Sequence, residues 1–200
     1  MMRRFALLVA MALQTVCTLP AQIGAPSPAK TAQNQAKAGQ NPAKAGQDAN
    51  KTDSWAAVRF LIGSWEAKTT GGVAQAQSSA GYSFRLELRD HVLARHTRSG
   101  SCSAPDDFDC QHSDLLYLYP EGGGQQLKAI YFDNEGHVIH YDVSSPKAGT
   151  VVFLSDAAQA GPQYRLTYTL LGGVMSGQFE MKMPGQAEFM SYLEWSGHLR

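Results

Sequence analysis

The chain has 200 residues, in which 17 lysines and arginines balance 17 aspartates and glutamates. The zero formal charge is unevenly spread: six basic but only two acidic residues precede Ser54, leaving 11 basic against 15 acidic groups from there to Arg200. That stretch is long enough for one ordinary core, and its mild acidity argues against a nucleic-acid partner.

Residues 1–21 carry Arg3 and Arg4, an apolar run from Phe5 to Leu13 and a small-residue end at Pro20-Ala21. This is the pattern of a signal peptide, too short for a stable membrane span. Cys17 lies inside it, after Gln14-Thr15-Val16, a poor match to a lipoprotein cleavage site. Residues 22–52 are rich in Ala, Gln, Lys, Gly, Pro and Asn, have no aromatic residue, and repeat almost the same seven residues at Asn34–Gln40 and Asn41–Gln47. Such a composition buries too little apolar surface to offset its ordering entropy and is read as a disordered linker. One folded domain is expected over 53–200, exported to the periplasm or secreted.

The domain opens at Asp53 or Ser54 as a helix N-cap. Trp55, Val58 and Ile62 recur at helical spacing, and Gly63 stops the short helix. Strand-like runs then alternate with turn clusters. The pattern predicts strands near Ser64–Thr70, Ser79–Leu88, Val92–Ser99, Ser113–Tyr119, Gln126–Asp133, His137–Ser144, Thr150–Ser155, Gln163–Leu171, Val174–Lys182 and Glu188–Ser196. No helical stretch separates them, so parallel crossovers are disfavoured. The expected fold is all-β, an antiparallel up-and-down barrel of about ten strands with a short N-terminal helix.

Three hairpins can be registered. A two-residue turn at Gly172-Gly173 pairs Leu171 with Val174 and sets Arg165 opposite Glu180, with the apolar residues of both strands on one face. A three-residue loop, Asn134-Glu135-Gly136, pairs Tyr131 with Ile139, Ala129 with Tyr141 and Phe132 with Val138. Both faces of this hairpin hold apolar residues, so which points inward is open, and the outer one calls for the N-terminal helix or a partner subunit as a cover. A loop at Arg89-Asp90-His91 would pair Phe84 with His96 and Tyr82 with Arg98.

That last register puts His96 and Arg98 on the apolar side. With Tyr82, Phe84 and Tyr168 they form the candidate ligand-binding set, an imidazole and a cation able to receive a polar head group in an apolar interior. Cys102 and Cys110, the only cysteines left after signal removal, are expected to form a disulfide. Asp106, Asp107, Asp109 and Asp114 crowd that loop and read as turn residues; calcium is the alternative, but the glycine and terminal glutamate of the standard loop are missing. His137 and His140 are three apart on one strand and cannot share a metal. No nucleophile elbow, phosphate-binding glycine loop, dinucleotide fingerprint or H-E-x-x-H occurs. No catalytic residue, metal or cofactor is assigned.

Phe60-Leu61-Ile62-Gly63-Ser64-Trp65 resembles the opening of calycin-type barrels: lipocalins, fatty-acid-binding proteins and nitrobindins. The resemblance implies that Gly63 and Trp65 mark barrel closure, with the indole packed at one closed end. The strand count is similar to the fatty-acid-binding and nitrobindin arrangement, and the layout to uncharacterised secreted bacterial domains. The chain departs from nitrobindins after the tryptophan, at Glu66–Thr70, and His198 is read as lying beyond the last strand, so haem binding is not carried over. The resulting expectation is a barrel that binds a small apolar or amphipathic molecule and is not an enzyme. The alternative is an envelope interaction module with a packed interior. Oligomeric state is left open.

Overall fold

The computed structural model describes residues 53–106, 108–124, 126–157 and 161–200. The signal peptide and linker expected over residues 1–52 lie outside the described residues.

Ten strands follow in order: β1 (Gly63–Gly71), β2 (Gln77–Glu87), β3 (Val92–Ser103), β4 (Asp114–Glu121), β5 (Gln126–Asp133), β6 (Val138–Lys147), β7 (Thr150–Ser155), β8 (Gln163–Leu171), β9 (Val174–Lys182) and β10 (Met190–Leu199). Each pairs antiparallel with its sequence neighbours, and β1 also pairs with β10, so the meander closes into a ten-stranded barrel. Closure removes the exposed edges that an open sheet would present. The expected short N-terminal helix is one 3-10 turn, Arg59–Leu61, preceded by turns from Ser54. Among the described residues there is no α-helix. Two turns of helix are not self-supporting, and tertiary contacts decide the backbone here.

That segment covers one end of the barrel. Trp55 Nε1 donates to the Asp90 carbonyl at 2.9 Å, and the Ser54 hydroxyl to the Gly124 carbonyl at 3.2 Å, which ties the cap to the β2–β3 and β4–β5 loops. Val58 and Leu61 are fully or almost fully buried beneath it. Trp65 is buried where β1 runs between β10 and β2, opposite Leu199 and Tyr82, and its Nε1 donates to the Leu61 carbonyl at 2.9 Å. Gly63 has φ +143°, and a Cβ there would lie 2.5 Å from Leu199 Cδ1, so only glycine fits the step from cap to barrel.

The hairpins at Gly172-Gly173 and Asn134–Gly136 have the registers the sequence predicts, including Arg165 opposite Glu180, Tyr131 opposite Ile139 and Phe132 opposite Val138. Leu127, Ala129, Tyr131, Ile139, Tyr141 and Val143 form the inward face of the latter. Phe132 and Val138 face out, and with Leu115 they form an exposed apolar row across β4, β5 and β6. The N-terminal turns cap the barrel end, so they do not cover this row.

The β2–β3 hairpin departs from expectation by one residue. Glu87 pairs with Val92, Phe84 with Arg95 and Tyr82 with Thr97, leaving a four-residue loop, Leu88–His91. A slip of one reverses which face every side chain of β3 occupies. His198 also departs from expectation: it lies inside β10, opposite Glu66, and is exposed.

Candidate functional site

The interior divides into two halves. Toward the capped end it is solid: Phe84, Leu93, Leu118, Val151, Phe153 and Tyr168 have no exposed surface. The rings of Phe84 and Tyr168 meet edge-on at 5.5 Å, as do those of Phe153 and Tyr168 at 6.2 Å. Such contacts between rings hold each in one orientation.

Toward the opposite end the packing opens into a cavity of about 330 Å³. Its apolar wall includes Ile139, Leu166, Phe179, Met181 and Leu193. Phe179 also stacks on Tyr164 at 5.6 Å. The loop between β3 and β4 lies across the mouth, closed on itself by a Cys102–Cys110 disulfide. Its Phe108 stacks on Tyr192 at 6.5 Å. A second lobe, of about 180 Å³, runs toward β1 and β2 and is lined by Tyr82, Thr97, Tyr168 and Trp195 among others. Arg95, His112 and Asp114 border both lobes.

These three residues form the polar floor. Arg95 is 5% exposed. Its Nη2 donates to Asp114 Oδ1 and its Nη1 to the Tyr168 hydroxyl, each at 2.5 Å. Its Nε has no hydrogen-bond partner among the described residues. Burial opposes the charge on Arg95, but Asp114 and Tyr168 outweigh it and raise the guanidinium pKa above its ordinary value. Burial likewise pushes the Asp114 carboxyl up, and Arg95 and His112 more than offset it, holding it below the usual carboxylate range. A buried pair of this kind stays ionised because each charge serves the other.

His112 continues the chain outward. Its Nε2 lies 3.4 Å from Asp114 Oδ2 and 3.0 Å from the Tyr131 hydroxyl, and its Nδ1 lies 2.9 Å from Glu135 Oε1. Asp114 raises its pKa against burial and Glu135 adds to this, to about 9, so the ring carries a proton at neutral pH. Asp109, His112 and Glu135 each bring one potential metal-ligand atom within 4.8 Å of the others. Glu135, Asp109, Asp133 and His137 ring the mouth, where His137 Nδ1 bonds Asp133 Oδ2 at 2.8 Å. Burial pushes the phenols of Tyr131 and Tyr141 up, keeping them neutral donors on the same wall.

The candidate set from sequence is split by the shifted hairpin. Tyr82, Phe84 and Tyr168 are inside; Tyr82 and Tyr168 line the second lobe, while Phe84 belongs to the solid half. His96 is corrected to the outer wall, where its Nε2 lies 2.9 Å from Glu87 Oε1, and Arg98 borders the second lobe only from its exposed rim, where it pairs with Glu66. The interior cation is Arg95, the residue just before His96. Asp114, read from sequence as a turn residue, is its partner, and His112 carried no sequence signal.

No protein-family model and no curated protein matches the chain.

Proposed function

We propose that this barrel is an exported binding protein for a small, mostly apolar molecule held at its open end. The observation that carries the reading is the cavity of about 330 Å³, apolar on its walls and floored by the buried Arg95–Asp114 pair. Ligand sites have this make-up: apolar area supplies affinity, and a few fixed polar groups orient the guest. The solid half and its Trp65 cap give that floor a rigid base. The calycin-like opening at Gly63-Ser64-Trp65 and the ten-strand closure are consistent with this reading. So is the disulfide, which favours an oxidising compartment. No helix of the described residues is long and apolar enough to cross a membrane.

Binding is favoured over catalysis because the acid–base group best placed in the cavity, His112, has both ring nitrogens engaged, by Glu135 on one side and by Tyr131 and Asp114 on the other. Native mass spectrometry of the protein isolated from its own cells tests the proposal. One small molecule per chain, released on denaturation, is expected. Bare protein that also fails to bind the neutral fluorophore phenylnaphthylamine would overturn it.

A second reading rests on the exposed row Leu115, Phe132 and Val138. Contiguous apolar side chains on an outer wall suit contact with another protein in the envelope. Light scattering with Val138→Lys as control separates the two: an assembly that this change dissolves favours the interaction module.

A further inference from the structure

The polar atoms at the centre of the barrel are unevenly matched, and the mismatch specifies what a guest must offer. Three buried side-chain atoms have no hydrogen-bond partner among the described residues: Arg95 Nε, Tyr82 Oη and Trp195 Nε1. All three residues line the second lobe. They gather around Tyr168, whose ring lies 5.9 Å from that of Tyr82 and 5.7 Å from that of Trp195, and whose hydroxyl accepts from Arg95. The Tyr82 hydroxyl and the indole N–H lie near one another without reaching hydrogen-bond geometry.

Arg Nε and Trp Nε1 can only donate, and a phenol donates as readily as it accepts. Buried donors left without acceptors are uncommon in folded proteins, because each has given up water without replacement. Arg95 is held by both of its terminal nitrogens, so its remaining N–H cannot swing away to find another acceptor. Trp195 is held too. It sits opposite Gly177, where a Cβ would lie 2.0 Å from the indole, so the ring occupies space that only glycine leaves open.

The charge balance narrows the guest further. Arg95 is already neutralised by Asp114, and the mouth through which a guest passes carries Asp109, Asp133 and Glu135. An anionic head group would have to pass those carboxylates, and the buried cation it would reach, Arg95, is already paired. A neutral oxygen with two lone pairs and nothing to donate meets the donors without that penalty.

We propose that the second lobe receives the carbonyl oxygen of a neutral, otherwise apolar guest (a ketone, ester or lactone), whose two lone pairs accept from Arg95 and Tyr82 beside the Trp195 N–H. The inference rests on the binding reading above. The three donor atoms are shut off from bulk solvent, so the oxygen reaches them with a small rotation of the Tyr82 phenol, for which the adjoining lobe of about 180 Å³ has room.

Displacement of phenylnaphthylamine tests this with three compounds of similar size: butyrophenone, butylbenzene, in which a methylene replaces the carbonyl, and the anion phenylbutyrate. Wild-type protein should bind butyrophenone at least as tightly as butylbenzene, although the hydrocarbon is the more hydrophobic, and both more tightly than phenylbutyrate. Tyr82→Phe should weaken butyrophenone about tenfold, the factor for one net hydrogen bond, and leave butylbenzene unchanged. The unliganded Tyr82→Phe protein should melt no lower than wild type, since the hydroxyl it loses has no partner. A ketone-to-hydrocarbon ratio unaffected by Tyr82→Phe, tighter binding of phenylbutyrate, or a lowered melting temperature would overturn the head-group assignment while leaving the cavity reading intact. Failure of phenylnaphthylamine itself to bind would remove both.

Discussion

Arg95 and Asp114 meet at 2.5 Å inside the barrel, with side chains only 7% and 9% exposed. Removing one charge leaves the other buried without compensation, which costs far more than the pair itself contributes. Arg95→Met is expected to lower unfolding free energy by about 3–5 kcal/mol. The double change Arg95→Met/Asp114→Leu should recover much of that loss, because both charges are then gone. Urea unfolding of the single and double variants measures it, and a double variant no better than the single would show that the pair is not the source.

His112 gives the barrel a pH dependence on the alkaline side. Its pKa is raised from 6.5 to about 9 in the fold, so its contribution is complete below 6.5 and is lost as pH rises through 9. Asp114 acts in the opposite sense: its carboxyl is held below 3.8, so its contribution is present above that value and is lost as pH falls through the folded one. Melting temperature should therefore hold through mildly acidic pH and decline between 6.5 and 9. His112→Gln should flatten the alkaline decline, which a melting series across pH would register.

The disulfide joins residues only eight apart, and by loop-closure entropy its removal should cost about 2–3 kcal/mol. It also anchors the loop that carries Phe108 and Asp109 across the cavity mouth. Cys102→Ser/Cys110→Ser should thus melt lower and release phenylnaphthylamine faster in stopped flow. Unchanged release would mean that the loop does not control entry.

Gly177→Ala places a methyl carbon 2.0 Å from the Trp195 indole. Overpacking of this kind costs about 1–3 kcal/mol. The indole must turn out of its present position, so near-ultraviolet circular dichroism should change while the far-ultraviolet spectrum stays that of a β-barrel.

The strands and two of the three hairpins were legible because the sequence marks them twice. Gly172-Gly173 and Gly136 supply turns that want positive φ, and the residues flanking them sort into faces only in one register. The β2–β3 hairpin lacks that mark. Leu88, Arg89 and Asp90 all adopt positive φ without a glycine, and His91 N bonds back to the Glu87 carbonyl at 3.1 Å. A loop of four therefore looks like a loop of three, and β3 is displaced by one residue. That displacement hid Arg95 and promoted His96 and Arg98. Asp114 and His112 were hidden differently: Asp114 meets Arg95 only once β3 and β4 pair across the disulfide loop, His112 joins through Asp114, and nothing local to that loop separates a buried aspartate from a turn aspartate.

The central claim is that the open end holds a small molecule, and occluding it is the most direct test. Leu166 on β8 lines the cavity wall. Leu166→Trp would fill part of the space of about 330 Å³ without touching Arg95, Asp114 or His112. The measurement is titration with phenylnaphthylamine, followed by fluorescence, alongside cooperative thermal unfolding of both proteins. Saturable binding at one site per chain in wild type, lost in a folded Leu166→Trp protein, is the predicted result. Equal binding by both proteins, or none by wild type, would contradict it.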